Sequence, residues 1–233
     1  MRLLAVESST PESSVALALD DGAIRSEALA PGRLQTETLM VTIDRLLRGR
    51  GVGVQALDGF AVAVGPGAFI GVRVGIATVK GLALATGRLV APASSLEALA
   101  ERASDIVRSD GDRPPLVCAM LDARRGEVYA ASYRLDERRE LVRIGEERLV
   151  RPEDFLAELK EPALFIGDGA RMHQALIRER LGDAARFPPV GRPAASGAEA
   201  VARLALRRWP SGAVDPADVT ATYLRPAVVS RSA

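Results

Sequence analysis

Cysteine and histidine are nearly absent from this chain: Cys118 and His173 are the single examples of each in 233 residues. One cysteine excludes an internal disulfide. One of each excludes the usual His/Cys zinc sites, and a Ser-His-Asp triad would need His173 as its base. Cys118 lies in the apolar run Leu116 to Leu121, where a free cysteine behaves as a small buried hydrophobe. His173, in RMHQALIRERL, reads as a structural histidine on a surface helix. An excess of either charge is also missing, since 31 basic residues against 30 acidic give a net charge of +1. That supplies no global basic field for nucleic acid, so DNA is not an expected partner. Lysine is limited to Lys80 and Lys160, and aromatic residues make up 4%, without the basic–aromatic interleaving of a single-strand binder. No apolar run reaches the ~20 residues of a membrane span. The N-terminus, MRLLAVESS, has too short an apolar run and too early a glutamate for a signal peptide. The expected location is the cytoplasm, away from membranes.

What the chain does have is small and apolar residues, 48% hydrophobic in all. They concentrate in FAVAVGPGAFIGVRVGIATVKGLALATG, Phe60 to Gly87. This stretch reads as a buried strand, a Gly65-Pro66-Gly67 break and a long helix from Phe69. Gly67, Gly71, Gly75 and Thr78 share one helix face by their spacing, and Gly81 and Ala85 extend it. Each mid-helix glycine costs about 1 kcal/mol relative to alanine, so something is expected to pack unusually close. The candidates are a neighbouring helix, a partner protein, or a phosphate at the helix N-terminus. Two phosphate motifs fail: Ile70 stands where a Gly-x-Gly-x-x-Gly fingerprint needs its third glycine, and no Gly-Lys-Ser/Thr follows.

The rest of the chain divides into two similar halves. Leu3 to Val6, Ser14 to Leu19 and Ala23 to Leu29 read as strands, with a hairpin turn at Asp20-Asp21-Gly22 and a closing Pro31-Gly32. Leu34 to Arg48 reads as an amphipathic helix. A short strand from Arg88 to Ala91 and a helix from Leu96 to about Val107, capped by Ser94 or Ser95, complete the half. After the polar stretch Ser109 to Pro115, the order recurs: strands at Leu116 to Leu121, Glu127 to Arg134 and Glu140 to Val150, a helix from Pro152, a strand at Ala163 to Ile166, then Gly167-Asp168-Gly169 and a helix from Arg171. Phe187 to Pro193 reads as a proline-rich loop and Ser196 to Arg208 as a last helix. Two copies of three strands, helix, strand, helix imply an α/β fold: a duplicated actin-like or ribonuclease-H-like plan, with two mixed-sheet domains facing a cleft. The expected division is 1–108, a linker at 109–115, and 116–233, with the last helix and tail left open to pack back on the first domain.

LAVESSTPESSVALAL, VGPGAFIGVRVGIATVKGLALA, LDARRGEVYAASY and the closing YLRP together resemble the TsaB (YeaZ) family, nearly along the whole chain. The resemblance implies a non-catalytic scaffold and dimerisation subunit of the machinery that forms N6-threonylcarbamoyladenosine at position 37 of tRNA. It implies pairing with a TsaD-type catalytic subunit, a TsaE-type ATPase in the same complex, a homodimer when the partner is absent, and tRNA contact only through the complex. The catalytic paralogue carries a metal-binding His-x-x-x-His, which the lone His173 cannot reproduce. Gln35 and Val41 stand where family members often have a histidine and a proline.

The candidate partner interface is the face of the first helix and the glycine-striped helix: Gln35, Leu39, Ile43, Leu46, Phe69, Gly71, Val72, Arg73, Gly75 and Ile76. Arg73 would meet an anion or an acidic partner residue, or form an ordinary salt bridge. The candidate nucleotide or phosphate set is Glu7, Ser8, Ser9, Gly65 and Gly67. Glu7 either holds magnesium through water or is a turn carboxylate bonded to nearby backbone N–H groups. Asp122 would pair with Arg124 or with the second glycine turn. No catalytic residue and no metal ligand is assigned. No cofactor is expected on the isolated chain, with weak ATP or ADP and magnesium reserved for the partner interface. The alternative reading is an ATP-dependent phosphotransferase or ATPase of actin-like fold; peptidase activity is not expected. Metal analysis of the purified protein is expected to find no stoichiometric zinc or iron, and one tightly held transition metal per chain would contradict this.

Overall fold

A computed structural model of the chain describes residues 1–30, 35–108, 115–189 and 195–225. The expectations for Pro31-Gly32, Leu34, 109–114 of the linker, 190–193 of the proline-rich loop and the tail from Pro226 lie outside the described residues. The described residues form two five-stranded mixed sheets. At the centre of the first, β1 (Leu3–Glu7) pairs antiparallel with β2 (Ser14–Ala18), which carries β3 (Ile24–Ala28) at the edge. On its other side β1 runs parallel to β4 (Gly59–Ala63), and β4 to β5 (Val90–Ala93). Helix α1 (Gln35–Arg48) precedes β4, α2 (Phe69–Thr86) joins β4 to β5, and α3 (Ser95–Glu101) and α4 (Ser104–Arg108) follow.

The second sheet repeats the plan. Its centre, β6 (Leu116–Asp122), pairs antiparallel with β7 (Val128–Leu135), and β7 with β8 (Leu141–Val150). After α5 (Pro152–Ala157), β9 (Ala163–Ile166) runs parallel to β6. Helices α6 (Asp168–Met172) and α7 (Gln174–Leu181) lead to the two-residue edge strand β10 (Ala185–Arg186), which the sequence did not suggest, and then to α8 (Gly197–Arg208).

Period-2 alternation sorts the first sheet by residue size. Leu4, Val6, Val15, Leu17, Phe60 and Val62 face α1 and α2 in one core. Leu3, Ala5, Ala16, Ala18, Ala61 and Ala63 face α8, whose own alanines let helix and sheet approach closely. Both faces are therefore buried, as continuous apolar strands require. The helices do not follow the boundary at 109–115. From the first half, α3 packs Leu96 and Leu99 onto the second sheet against Val117, Ala119 and Tyr133. From the second half, α8 packs on the first sheet, the option left open for the last helix. Arg207 of α8 meets Glu101 of α3 in a two-pronged ion pair at 2.9 and 2.8 Å, and Glu101 is buried.

The single helix expected over Leu96–Val107 is broken. At Arg102 the bonding tightens, with the Ala103 N–H donating to the Ala100 carbonyl. The Arg102 side chain then turns to donate to the Ala195 carbonyl at 2.8 Å. Ser94 is the cap, accepting from the N–H groups of Leu96 and Glu97.

The glycine stripe faces inward. A Cβ on Gly71 would overlap the Ser8 carbonyl oxygen, one on Gly75 the Ser8 hydroxyl, and one on Gly67 the Ser9 carbonyl oxygen. What packs close is thus the turn after β1, not a helix, a partner or a phosphate. Gly81 does not extend the stripe: it is exposed, with no atom within 4 Å of a Cβ built there. By length and composition α2 also passes as a membrane span, but it is the crossover between β4 and β5. The two glycines should respond oppositely. Gly71→Ala is expected to destabilise by about 2–3 kcal/mol, because a backbone oxygen cannot move aside. Gly81→Ala should stabilise by about 0.5–1 kcal/mol through helix propensity. Denaturant melts of both variants measure this; equal effects would contradict the packing.

Candidate functional site

The inward stripe closes the end of β1. Glu7, Ser8 and Ser9 are all buried. Glu7 Oε1 accepts from the Ser9 N–H at 2.7 Å and from the Ser9 hydroxyl at 2.5 Å, while Oε2 accepts from the Thr10 hydroxyl at 2.7 Å. The Ser8 hydroxyl donates to the Gly71 carbonyl at 2.8 Å. Gly197, at the start of α8, covers the other side, and a Cβ there would come within 2.8 Å of Glu7 Cγ. Burial pushes the Glu7 carboxyl above its ordinary range, and the bonds from Ser9 and Thr10 and the charge of Arg102 only partly offset it. Glu7 is the turn carboxylate of the two readings.

The other members of the nucleotide set are likewise committed to the fold. The Gly65 N–H donates to the Ser95 hydroxyl at 3.1 Å, and Gly67 seats on Ser9. Across the cleft, the Asp122 carboxylate takes the first of its two expected partners, and its backbone, not its side chain, meets the second glycine turn. Its Oδ2 pairs with Arg124 at 3.1 Å, and its N–H donates to Asp168 Oδ1 at 3.1 Å in the second glycine turn. Asp168 Oδ1 also accepts from the Gly169 N–H at 2.9 Å. Among the described residues no group of three or more His, Cys, Asp or Glu side chains is placed to hold a metal ion. Glu7 Oε1 accepts two hydrogen bonds and Oε2 one, all from its own turn, and burial disfavours its charge, so this carboxylate is used locally. Cys118 is buried as expected, and burial pushes its thiol up to about 12.

Two adjoining cavities, of about 310 and 340 Å³, lie along the cleft between the β1 turn and the ends of β6 and β9. The lining of the first holds an ion triad that the sequence did not reveal. Glu12 is held by Arg102 at 3.0 Å and by Arg171 at 3.1 Å.

The interface set divides. Leu39, Ile43 and Leu46 of α1, and Gly71, Val72, Gly75 and Ile76 of α2, are buried in the chain's own core. In the free chain they face the core and not the surface that the sequence reading gave them; in α1 the buried side is Thr38, Leu39, Thr42, Ile43, Leu46 and Leu47. Gln35 is half-buried and bonds to the Ser13 hydroxyl at 3.4 Å. Phe69 and Arg73 are exposed. The Arg73 guanidinium lies 3.9 Å from the centroid of the Phe69 ring and donates from Nε to the Tyr223 hydroxyl at 2.9 Å, so the partner it found is a cation–π and hydroxyl cradle, not a carboxylate. What α1 and α2 do turn outward is Met40, Val41, Ile70 and Leu84, exposed at 49, 64, 67 and 65%. Positions one step round the helix from the glycines carry this signal, and glycine, having no side chain, gave no sign of which face was inside.

The architecture defines a duplicated actin-like protein. It superposes on the activator of 2-hydroxyisocaproyl-CoA dehydratase from Clostridium difficile with a TM-score of 0.51 at 10% identity, over 89% of this chain and 95% of that one, a likeness of fold alone. YeaZ from Pseudomonas aeruginosa is far more similar, with a TM-score of 0.75 and 33% identity over 96% of this chain and 99% of that chain. The family model described as TsaD, tRNA N6-adenosine threonylcarbamoyltransferase, matches residues 31–198. The tRNA threonylcarbamoyladenosine biosynthesis protein TsaB of Bacillus subtilis is 31% identical over 185 residues, 78% of this chain and 77% of that protein. Its counterpart in Haemophilus influenzae is 36% identical over 129 residues, 55% of this chain but only 52% of the relative's length. The chain belongs to the TsaB (YeaZ) family.

Burial of Glu7 has a measurable consequence. Its pKa in the folded chain lies above the ordinary 4.5, so the native state holds the proton more tightly than the unfolded one. The stability this contributes is present at low pH and is lost as pH rises from 4.5 through the raised native value. Glu7→Gln, which stays neutral, should therefore gain on the wild type in urea melts as pH climbs from 4.5 toward 8. A difference that stays flat, or moves the other way, would show that Glu7 is ionised in the fold at little cost.

Proposed function

We propose that this protein is a subunit of the machinery that forms N6-threonylcarbamoyladenosine at position 37 of tRNA. In this reading it contributes no chemistry and pairs with a TsaD-type catalytic subunit. The carrying observation is the outward face of α1 and α2, where Met40, Val41, Phe69, Ile70 and Leu84 lie exposed. Large apolar side chains left exposed on two adjacent helices are where an interaction site is expected. The names of the relatives supply the pathway. The match of a TsaD-family model to 31–198 supports pairing between two chains of similar fold, since related folds can meet through related surfaces. By the same logic the protein pairs with itself when the partner is absent. A TsaE-type ATPase completes the complex, and ATP or ADP with magnesium belongs to the assembled interface. The closed turn at Glu7 supports the absence of nucleotide on the chain alone. The net charge of +1 supports tRNA contact through the complex only.

The phosphotransferase reading is weaker, because its metal-assisting carboxylate would be Glu7. Arginine at an exposed apolar position should prevent docking by burying an unpaired charge. Ile70→Arg is expected to fold normally and lose partner binding by at least tenfold in sedimentation with the TsaD-type protein. Threonylcarbamoylation should fail when either subunit is omitted. Wild-type affinity in the folded variant, or ATP turnover by the chain alone, would contradict the proposal.

A further inference from the structure

The smaller of the two cleft cavities, about 310 Å³, is built differently from its neighbour. Its walls are mostly apolar, with Leu99 from α3, Leu121 from β6, Phe165 and Ile166 from β9, and Phe187, but Thr10, Asp168 and Gln174 also line it. The Phe165 and Phe187 rings stand 5.9 Å apart and tilted by 32°. Two guanidinium groups of the lining, Arg102 and Arg171, converge on a single carboxylate, that of Glu12, while Arg102 Nε also donates to the Ala195 carbonyl. The three residues come from different elements, so the fold brings two cations to one point in the lining of a mostly apolar cavity. Glu12 is 47% exposed and sits on the turn before β2, so its side chain can swing to water. Asp168, also at the wall, has turned Oδ1 to two backbone N–H groups.

We propose that this cavity binds a small molecule with a flat apolar body and one anionic group, which takes the place of the Glu12 carboxylate between Arg102 and Arg171. The volume is at the lower end for ligand sites, and an apolar lining with a few convergent polar groups is their usual make-up. Planar guanidinium groups suit a carboxylate or sulfonate. The inference is independent of the assembly proposed above.

The test uses 1-anilinonaphthalene-8-sulfonate, which has this chemistry, and its neutral analogue N-phenyl-1-naphthylamine, in fluorescence titrations of the full chain. Circular dichroism confirms that each variant is folded. The sulfonate should saturate one site per chain, with the neutral analogue at least tenfold weaker. Arg171→Gln should weaken the sulfonate at least threefold, Glu12→Gln should tighten it, and Gln174→Trp, which adds bulk to the lining, should abolish it. Equal affinity for the two probes, several equivalent sites, no saturable binding, or affinities unmoved by the three variants would each overturn the proposal.

Discussion

The contact of Ser8 with the helix face, its carbonyl at Gly71 and its hydroxyl at Gly75, is the constraint on which the first half depends. With no Cβ at these positions, α2 comes down onto the end of β1 until backbone meets backbone. The Ser8 hydroxyl then reaches the Gly71 carbonyl, and Glu7 is left in a volume closed by Gly197 from the far end of the chain. Each glycine costs helix propensity. The return is a dry, fully bonded turn in a place where a related fold could have left an open strand end.

The second half uses the same device in shorter form. Gly167, at φ 114°, and Gly169 seat α6 on the Met120 and Leu121 backbone at the end of β6. The two halves are then locked by exchange: α3 covers the second sheet, α8 the first, and the buried Glu101 carboxylate is neutralised by Arg207 across the exchanged helices. Breaking one partner of such a pair leaves a buried charge uncompensated. The cleft is thus framed by elements that each half lends to the other.

Most of the element order was legible because its signals are local. Apolar runs, the Gly-Pro-Gly break, the Ser94 cap and Pro152 at a helix start all act within a few residues. Orientation was less legible. Both sides of α2 are apolar, so composition did not say which would face the sheet, and the glycine stripe was read as a partner surface when it is the core contact. In α1, Leu39, Ile43 and Leu46 looked surplus because the depth of the sheet they cover does not show in one helix. The Glu12 triad joins residues 90 and 159 positions apart, beyond any sequence pattern. The helix exchange is tertiary in the same way.

Helix α2 has a closed inner face and an available outer one. Hydroxyl-radical footprinting of the chain with and without a TsaD-type protein measures this at side-chain level. Met40, Phe69 and Ile70 should react readily in the free chain and be protected in the complex, while Met172 and Ile144, exposed elsewhere, keep their reactivity. Protection of Ile144 or Met172 with Met40, Phe69 and Ile70 unchanged would contradict it.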